Sequence, residues 1–415
     1  MKPIDYQAIF GMISPDHVLK LEQAAIRIPS PTFNEHALAD YLANYMSDIG
    51  LEVEMQEVQH PFEPDKKSRQ PIGRLKGMGG MSSLMLNAHM DPNVEMSGWT
   101  VDPFGAKFEN GWVYGLGSMD NKGGIICGIC AVEAIKRSGA KLRGDVLVCP
   151  VVAHKAGGIG TRELIKRGIM ADYCINLEHS ANGVATVCVG LVKAKIKTRA
   201  AQFFFRGSPE TRAKYFNAIE QMCEIIPRLG RSVECVQPGG WLRFEPHPDL
   251  PEFPQIRYDT IHKDYFSREC ELEFQIRTVP GQSLESVKID LVRLLEQCKT
   301  DSPNLNYEVT IPAEGKADTW YMEPMEISRD NPLVLALAEG HRIATGTDPI
   351  VGAETRIGNV GDGNLLSACG VATVQYGPGD IRLFNEWPTP DERVRLDDLV
   401  NAAKAVACAV YRLCG

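Results

Sequence analysis

The sequence predicts an α/β protein: a mostly parallel sheet with helices on both faces, interrupted by a smaller α+β domain of two layers. Three observations predict it. Up to about residue 184, short apolar runs alternate with amphipathic stretches, the pattern of parallel strands joined by helical crossovers. Between about 185 and 315 the pattern changes to period-two alternation and helical repeats, and after about residue 326 the first style returns. A chain of 415 residues is also too long for one ordinary core. The economical reading is a large domain formed by 1–184 and 316–415, with a smaller domain inserted at 185–315.

The elements follow in order. Residues 16–29 and 33–49 show helical apolar spacing, the second stretch stopping at Gly50. SLMLNA at 83–88 fits a buried strand and 123–138 a helix; DVLVCPVV at 145–152 is a second strand, 160–168 a helix and 173–177 a third strand. In the inserted part, VKAKIKTRAAQFFF (192–205) and ECELEFQIRTV (269–279) alternate with period two. NAIEQMCEIIPRL (217–229) and SLESVKIDLVRLLEQC (283–298) read as helices, and 236–256 is loop-rich with Pro and Trp. NPLVLALAEGHRIA, GVATVQYGP and LDDLVNAAKAVACAVYRL then complete the larger domain. No internal repeat or low-complexity segment is visible.

Composition narrows the partners. With 44% hydrophobic and 23% charged residues the chain reads as a soluble globular protein. The net charge of −9, without blocks of Lys or Arg, leaves no footprint for nucleic acid or an anionic membrane. No apolar run reaches eighteen residues and MKPIDYQAIFGM lacks a signal-peptide pattern. The expectation is a cytoplasmic protein whose partner is a small molecule. Its twelve cysteines lie scattered through apolar stretches, as free thiols of a reducing compartment do. Cys127 and Cys130 form a CxxC, a pattern of zinc or redox sites elsewhere; with helical apolar spacing and no second CxxC, core packing is the better reading.

Three segments carry chemistry. Leu86-Asn87-Ala88-His89-Met90-Asp91 ends an apolar strand in His-x-Asp, where an acid two residues on can fix the metal-binding tautomer of the histidine. Alone, such a pair is more often structural. The glycine-rich run from Tyr114 to Gly124 contains Asp120 and leads into a helix, but shows no GxGxxG of a nucleotide fold. Glu178 ends the apolar strand Asn176-Leu177, and alone it reads as a surface carboxylate. A fourth segment, Ala153 to Arg162 (AHKAGGIGTR), joins a strand to a helix.

Taken together these segments resemble, over nearly the whole chain, the metallopeptidase family of aminoacylases, carboxypeptidase G, acetylornithine deacetylase and succinyl-diaminopimelate desuccinylase. The resemblance implies that His89, Asp120 and Glu178 bind metal and that Asp91 orients His89. It also implies that the inserted domain is a lid or dimerisation domain and the protein a homodimer or higher homo-oligomer. In that family the fourth segment carries Glu-Glu, a general base followed by a ligand of a second metal; here the two positions are His154 and Lys155. The family's other private ligand of the second metal is a histidine near the C-terminus, yet no histidine follows His341, and the corresponding stretch runs Trp387-Pro388-Thr389-Pro390-Asp391-Glu392.

An ammonium donates hydrogen bonds but has no lone pair for a metal. The expectation is therefore one divalent ion per chain, Mn or Zn given the one-His, two-carboxylate set, with Lys155 supplying positive charge near the emptied position. His154, with an ordinary pKa near 6.5, is expected to act as base or proton shuttle. Arg277 and Arg356 lie where the family often places groups that hold a substrate carboxylate; Arg206 is a further substrate-site candidate, in the region where the family usually has a histidine that reaches a neighbouring subunit's active site to stabilise the oxyanion, and Asp362 and Asn364 are expected to support the cleft floor. The reaction implied is metal-dependent hydrolysis of a carbon–nitrogen bond. Loss of the standard base and second metal points toward a divergent branch that deaminates aromatic amino acids, as 5-nitroanthranilate aminohydrolase does. A conventional deacylase or dipeptidase, and a noncatalytic binding protein on the same fold, are the alternatives.

Overall fold

The computed structural model describes residues 6–61, 63, 65–200, 217–230, 240–265, 268–311, 321–353 and 359–415. The chain forms two compact units, 1–187 with 325–415, and 188–324. The sequence places the return to the larger unit at 316; the structure places it after Pro324. The physical reason is that Tyr321–Met322 still pairs with Leu191 and Val192 in the smaller unit's sheet.

In the larger unit the elements are α1 (Pro15–Ile26), α2 (His36–Asp48), β1 (Glu52–Gln59), β2 (Lys67–Leu75), β3 (Leu84–His89), α3 (Lys122–Arg137), β4 (Val146–Val151), α4 (Ile159–Lys166) and β5 (Tyr173–Asn176). After the insertion come α5 (Pro332–Thr345), α6 (Asp362–Ala368), β6 (Ala372–Gln375) and α7 (Leu396–Cys414). Six strands form one sheet in the order β1-β2-β4-β3-β5-β6. The last four run parallel, while β1 and β2 form an antiparallel edge. Sequence periodicity did not single out this edge hairpin. EVEMQEVQ exposes half its residues, so its apolar signal is weak, and pairing with β2 rather than burial makes it a strand.

β3 and β4 are buried along their whole length, as strands covered on both faces must be. α3 is buried on nearly every side, with Ile125, Ile126, Cys127, Ile129, Cys130 and Ala131 all in the main core. The CxxC is core packing: Cys127 donates to the Leu399 carbonyl at 3.2 Å. Close approach explains the glycines at the start of this helix. A side chain at Gly124 would sit 2.1 Å from the Leu177 carbonyl oxygen, so α3 lies directly against the chain that leads into Glu178.

The smaller unit is a second sheet, with strands Gln255–Lys263, Glu269–Thr278, Gly190–Arg199 and Tyr307–Thr310 in that order and antiparallel. Helices Ala218–Leu229 and Leu284–Asp301 pack on one face over a separate core containing Ile196, Phe274, Ile225 and Leu291. Both helices begin with a capping box, Asn217 with Glu220 and Ser283 with Ser286.

Gly124→Ala should cost about 1–3 kcal/mol, the range for over-packing a dense interior, because the first obstacle is backbone rather than a flexible side chain. Denaturant melts of the two proteins check this; an unchanged midpoint would show that α3 can slide away from Leu177.

Candidate metal centre

The carboxyl ends of the parallel strands bring the chemistry together, as open α/β sheets dictate. His89 ends β3, Glu178 follows β5 by two residues, and Asp120 lies two residues before α3. All three are buried. His89 Nε2 stands 2.9 Å from Asp120 Oδ1 and 3.6 Å from Glu178 Oε1. Neither His89 Nε2 nor Asp120 Oδ1 has a hydrogen bond of acceptable geometry. Buried polar atoms left so are costly, and a cation between them satisfies both; with Glu178 beside them, one imidazole and two carboxylates suit Mn²⁺ or Zn²⁺.

His89 is oriented differently from the sequence expectation. Its Nδ1 pairs at 2.8 Å with the main-chain carbonyl oxygen of Asp91, not with the carboxylate, whose Oδ1 lies 3.7 Å away. A carbonyl can only accept, so Nδ1 carries the hydrogen and Nε2 keeps its lone pair for a metal. The Asp91 carboxylate instead holds the loop of His154 and Lys155. It accepts from the backbone N–H of His154 and of Lys155, each at 3.0 Å, and from the Thr32 hydroxyl at 3.0 Å.

That loop is a short turn, His154–Ala156, entered through Ala153 at φ 54° and left through Gly157 at φ 98° and Gly158 at φ 71°. Glycine tolerates this left-handed backbone; Ala153 does not without cost, and its N–H is held by Glu35 Oε1 at 2.9 Å. His154 stacks on His89 with ring centres 4.2 Å apart, and its Nδ1 bonds Asp362 Oδ1 at 2.9 Å. Burial disfavours the imidazolium, but the Asp362 charge and hydrogen bond outweigh it and raise the His154 pKa to about 9. The Asp362 carboxylate thus moves His154 upward from the ordinary value near 6.5 on which the sequence expectation rests. Asp362 is thus a direct partner of the loop histidine, while Asn364 accepts from the Gly361 N–H and from Gln375.

Lys155 places Nζ 2.8 Å from Asp120 Oδ2. Burial opposes its charge, yet the Asp120 carboxylate beside it lifts the ammonium above its ordinary range. The same contact, with His89, holds Asp120 well below the usual carboxylate range despite full burial. Asn93 also donates to Asp120 Oδ2, at 3.0 Å.

Sequence reasoning missed three groups. Glu392 accepts from the backbone N–H groups of Gly117, Met119 and Asp120 at 3.0, 2.8 and 2.9 Å, so an acid 272 residues away fixes the loop that presents Asp120; its place in the Pro-Asp-Glu motif was the only signal. His179 brings a ring nitrogen within 4.8 Å of ligand atoms of Asp120 and Glu178; His89, His154 and Glu178 form another such group. Its adjacency to Glu178 was visible, but nothing local says which way a residue after a strand turns. Glu35 lies at the loop's back; burial first, then the neighbouring Asp91, raises its carboxyl to about 8.

The predicted arginines stand apart from this description. Arg206 and Arg356 lie outside the described residues. Arg277 lies in the smaller unit on Glu269–Thr278 with Nη1 buried and unpartnered, and burial, then Arg257, pulls its pKa down to about 10.

Comparison with known proteins agrees with this geometry. The model of peptidase family M20/M25/M40 matches residues 85–412. The chain belongs to that family. Among its relatives, N-formyl-4-amino-5-aminomethyl-2-methylpyrimidine deformylase of Bacillus subtilis is 25% identical, the alignment covering 92% of this chain and 91% of the other. Succinyl-diaminopimelate desuccinylase of Methylobacterium radiotolerans is 30% identical, covering 90% and 91%. The solved structure of the di-peptidase Dug1p from Saccharomyces cerevisiae shares the fold, with a TM-score of 0.76 and 14% identity over 99% of this chain and 98% of that one. As a family member with two groups of side chains that could hold a metal ion, the chain is a metal-dependent hydrolase acting on carbon–nitrogen bonds.

Glu35 binds its proton more tightly folded than unfolded, about 8 against 4.5. Its stability contribution is therefore fully present below pH 4.5 and lost as pH rises through about 8. Glu35→Gln keeps an acceptor for Ala153 and cannot ionise, so its melting temperature relative to wild type should rise between pH 5 and pH 9. Thermal melts across that range check this; a pH-independent difference would show that Glu35 stays ionised.

Proposed function

We propose that this protein hydrolyses the amide bond of a small N-acyl substrate bearing a carboxylate, using one divalent ion held by His89, Asp120 and Glu178. The observation that carries the reading is the split use of Asp120: Oδ1 faces His89, while Oδ2 is taken by the Lys155 ammonium. The activities by which the relatives are named, deformylase, desuccinylase and acetylornithine deacetylase, favour amide cleavage over ring deamination.

When bound, the ion supplies Lewis-acid polarisation at the scissile bond. The protein's own groups do the rest. His154, held through Nδ1 by Asp362, keeps its other ring nitrogen for carrying a proton to the leaving nitrogen. Lys155 contributes a fixed positive charge for the substrate carboxylate or the developing oxyanion, where a preorganised charge acts without reorganisation. Asp91 keeps both residues in place through their backbone N–H groups. Arg277, with its unpartnered Nη1, is kept as a proposed binder of a carboxylate, and assembly as a homodimer is proposed on the strength of the family. The eleven free cysteines among the described residues support a reducing, cytoplasmic setting, and no described helix is long and apolar enough to cross a membrane.

A second reading has one observation in its favour. Trp387 stands where the resemblance expects the family's C-terminal histidine; its ring lies 5.6 Å from that of His179 and 5.9 Å from Phe384. Such a half-buried wall beside the metal ligands suits a planar ring, and with it hydrolytic deamination of an aromatic amino acid such as 5-nitroanthranilate.

A turnover screen of the metal-loaded protein on N-formyl, N-acetyl and N-succinyl amino acids, dipeptides and aminobenzoates decides between them. Amide cleavage is the expected result; ammonia from an aminobenzoate alone would install the second reading, and binding without turnover would leave a noncatalytic protein. On the active substrate, His154→Ala should lower kcat by about 10²–10⁴ with metal content unchanged, and His89→Ala should abolish metal binding as measured by elemental analysis. A His154→Ala enzyme of wild-type kcat would leave that residue structural.

A further inference from the structure

We propose that Asp120, Glu178 and His179 form a second divalent-cation site that Lys155 keeps closed. The sequence alone argues against any second site, since Lys155 replaces one ligand of the family's second metal and no histidine follows His341. The structure supplies a different histidine. His179 adjoins Glu178 in the chain, is buried, and has a ring nitrogen within 4.8 Å of ligand atoms of both carboxylates.

The two carboxylates are arranged to serve two ions. Asp120 Oδ1 and Glu178 Oε1 face His89 Nε2 at 2.9 and 3.6 Å. Their other oxygens have other neighbours: Asp120 Oδ2 meets the Lys155 ammonium at 2.8 Å, and Glu178 Oε2 lies 3.8 Å from His179 Nδ1. Each acid thus has a second oxygen besides the one nearest His89, and a second histidine stands within reach of both acids. A single positive charge on a tethered stem is hydrogen-bonded to the carboxylate that both groups share, Asp120, and it repels a divalent ion at close range. A tethered ammonium also needs no supply from solution, so the positive charge there is independent of metal availability.

This inference concerns stoichiometry and rests on the reading that the first ion is held by His89, Asp120 and Glu178; it does not depend on which bond is cleaved. Lys155→Ala removes the ammonium while leaving every ligand. Zn²⁺ binding to the full-length apo-protein, followed by titration calorimetry and by elemental analysis after desalting, should give one ion for wild type, two for Lys155→Ala, and one again for Lys155→Ala combined with His179→Ala. His179→Ala alone should keep one ion, and circular dichroism melts identify any variant that fails to fold. In that case Lys155→Met, which keeps the stem and loses the charge, takes the place of Lys155→Ala. One ion in the folded charge-free variant, two in wild type, or two retained after loss of His179 would each overturn the proposal. A wild-type protein that binds no metal would instead overturn the reading of the first site.

Discussion

Asp120 is the constraint on which the site depends. A carboxylate fully out of water is stable as an anion only if its surroundings replace the lost hydration. Here one oxygen stands against His89, the other receives Lys155 and Asn93, and the preceding backbone is clamped by Glu392. Each partner comes from a different part of the chain. Asp120 therefore fixes where the end of β3, the loop of His154 and Lys155 and the segment before α7 meet, and a shift in any of them would leave a buried charge uncompensated.

The same logic extends outward. Lys122, two residues after Asp120, is buried and donates to the carbonyls of Ala25 and Ile28 at 3.0 and 2.8 Å, which ties the end of α1 to the start of α3. Burial lowers its pKa to about 8. Glu22 is wholly buried as well, and burial pushes its carboxyl far above the usual range, the opposite direction from Asp120. Burial and charged neighbours push these pKa values apart, and the charge collects at the metal centre, where it can be used.

The loop that carries His154 and Lys155 is held through its main chain. The left-handed turn and the two Asp91 hydrogen bonds act on backbone atoms, so both side chains are left to other partners. Their partners decide what they do. Asp362 turns an imidazole into a proton-holding group, and Asp120 turns a lysine into the local counter-charge.

Sequence periodicity determined the alternating strands and helices of the larger unit, because their faces are apolar at the spacing each element requires, and it located the inserted unit by its change of period. The motifs around His89, Asp120, Glu178 and His154–Lys155 were legible for the same reason: each is local. The edge hairpin was not, since its charged faces carry little signal and it exists through pairing. Nor was the role of Glu392, the use of the Asp91 carbonyl on His89, the Asp362 partner of His154, or the turn that brings His179 to Asp120. Those depend on which segments the sheet brings to its carboxyl edge, and hydrogen bonds across such distances in sequence are decided only when the chain is folded.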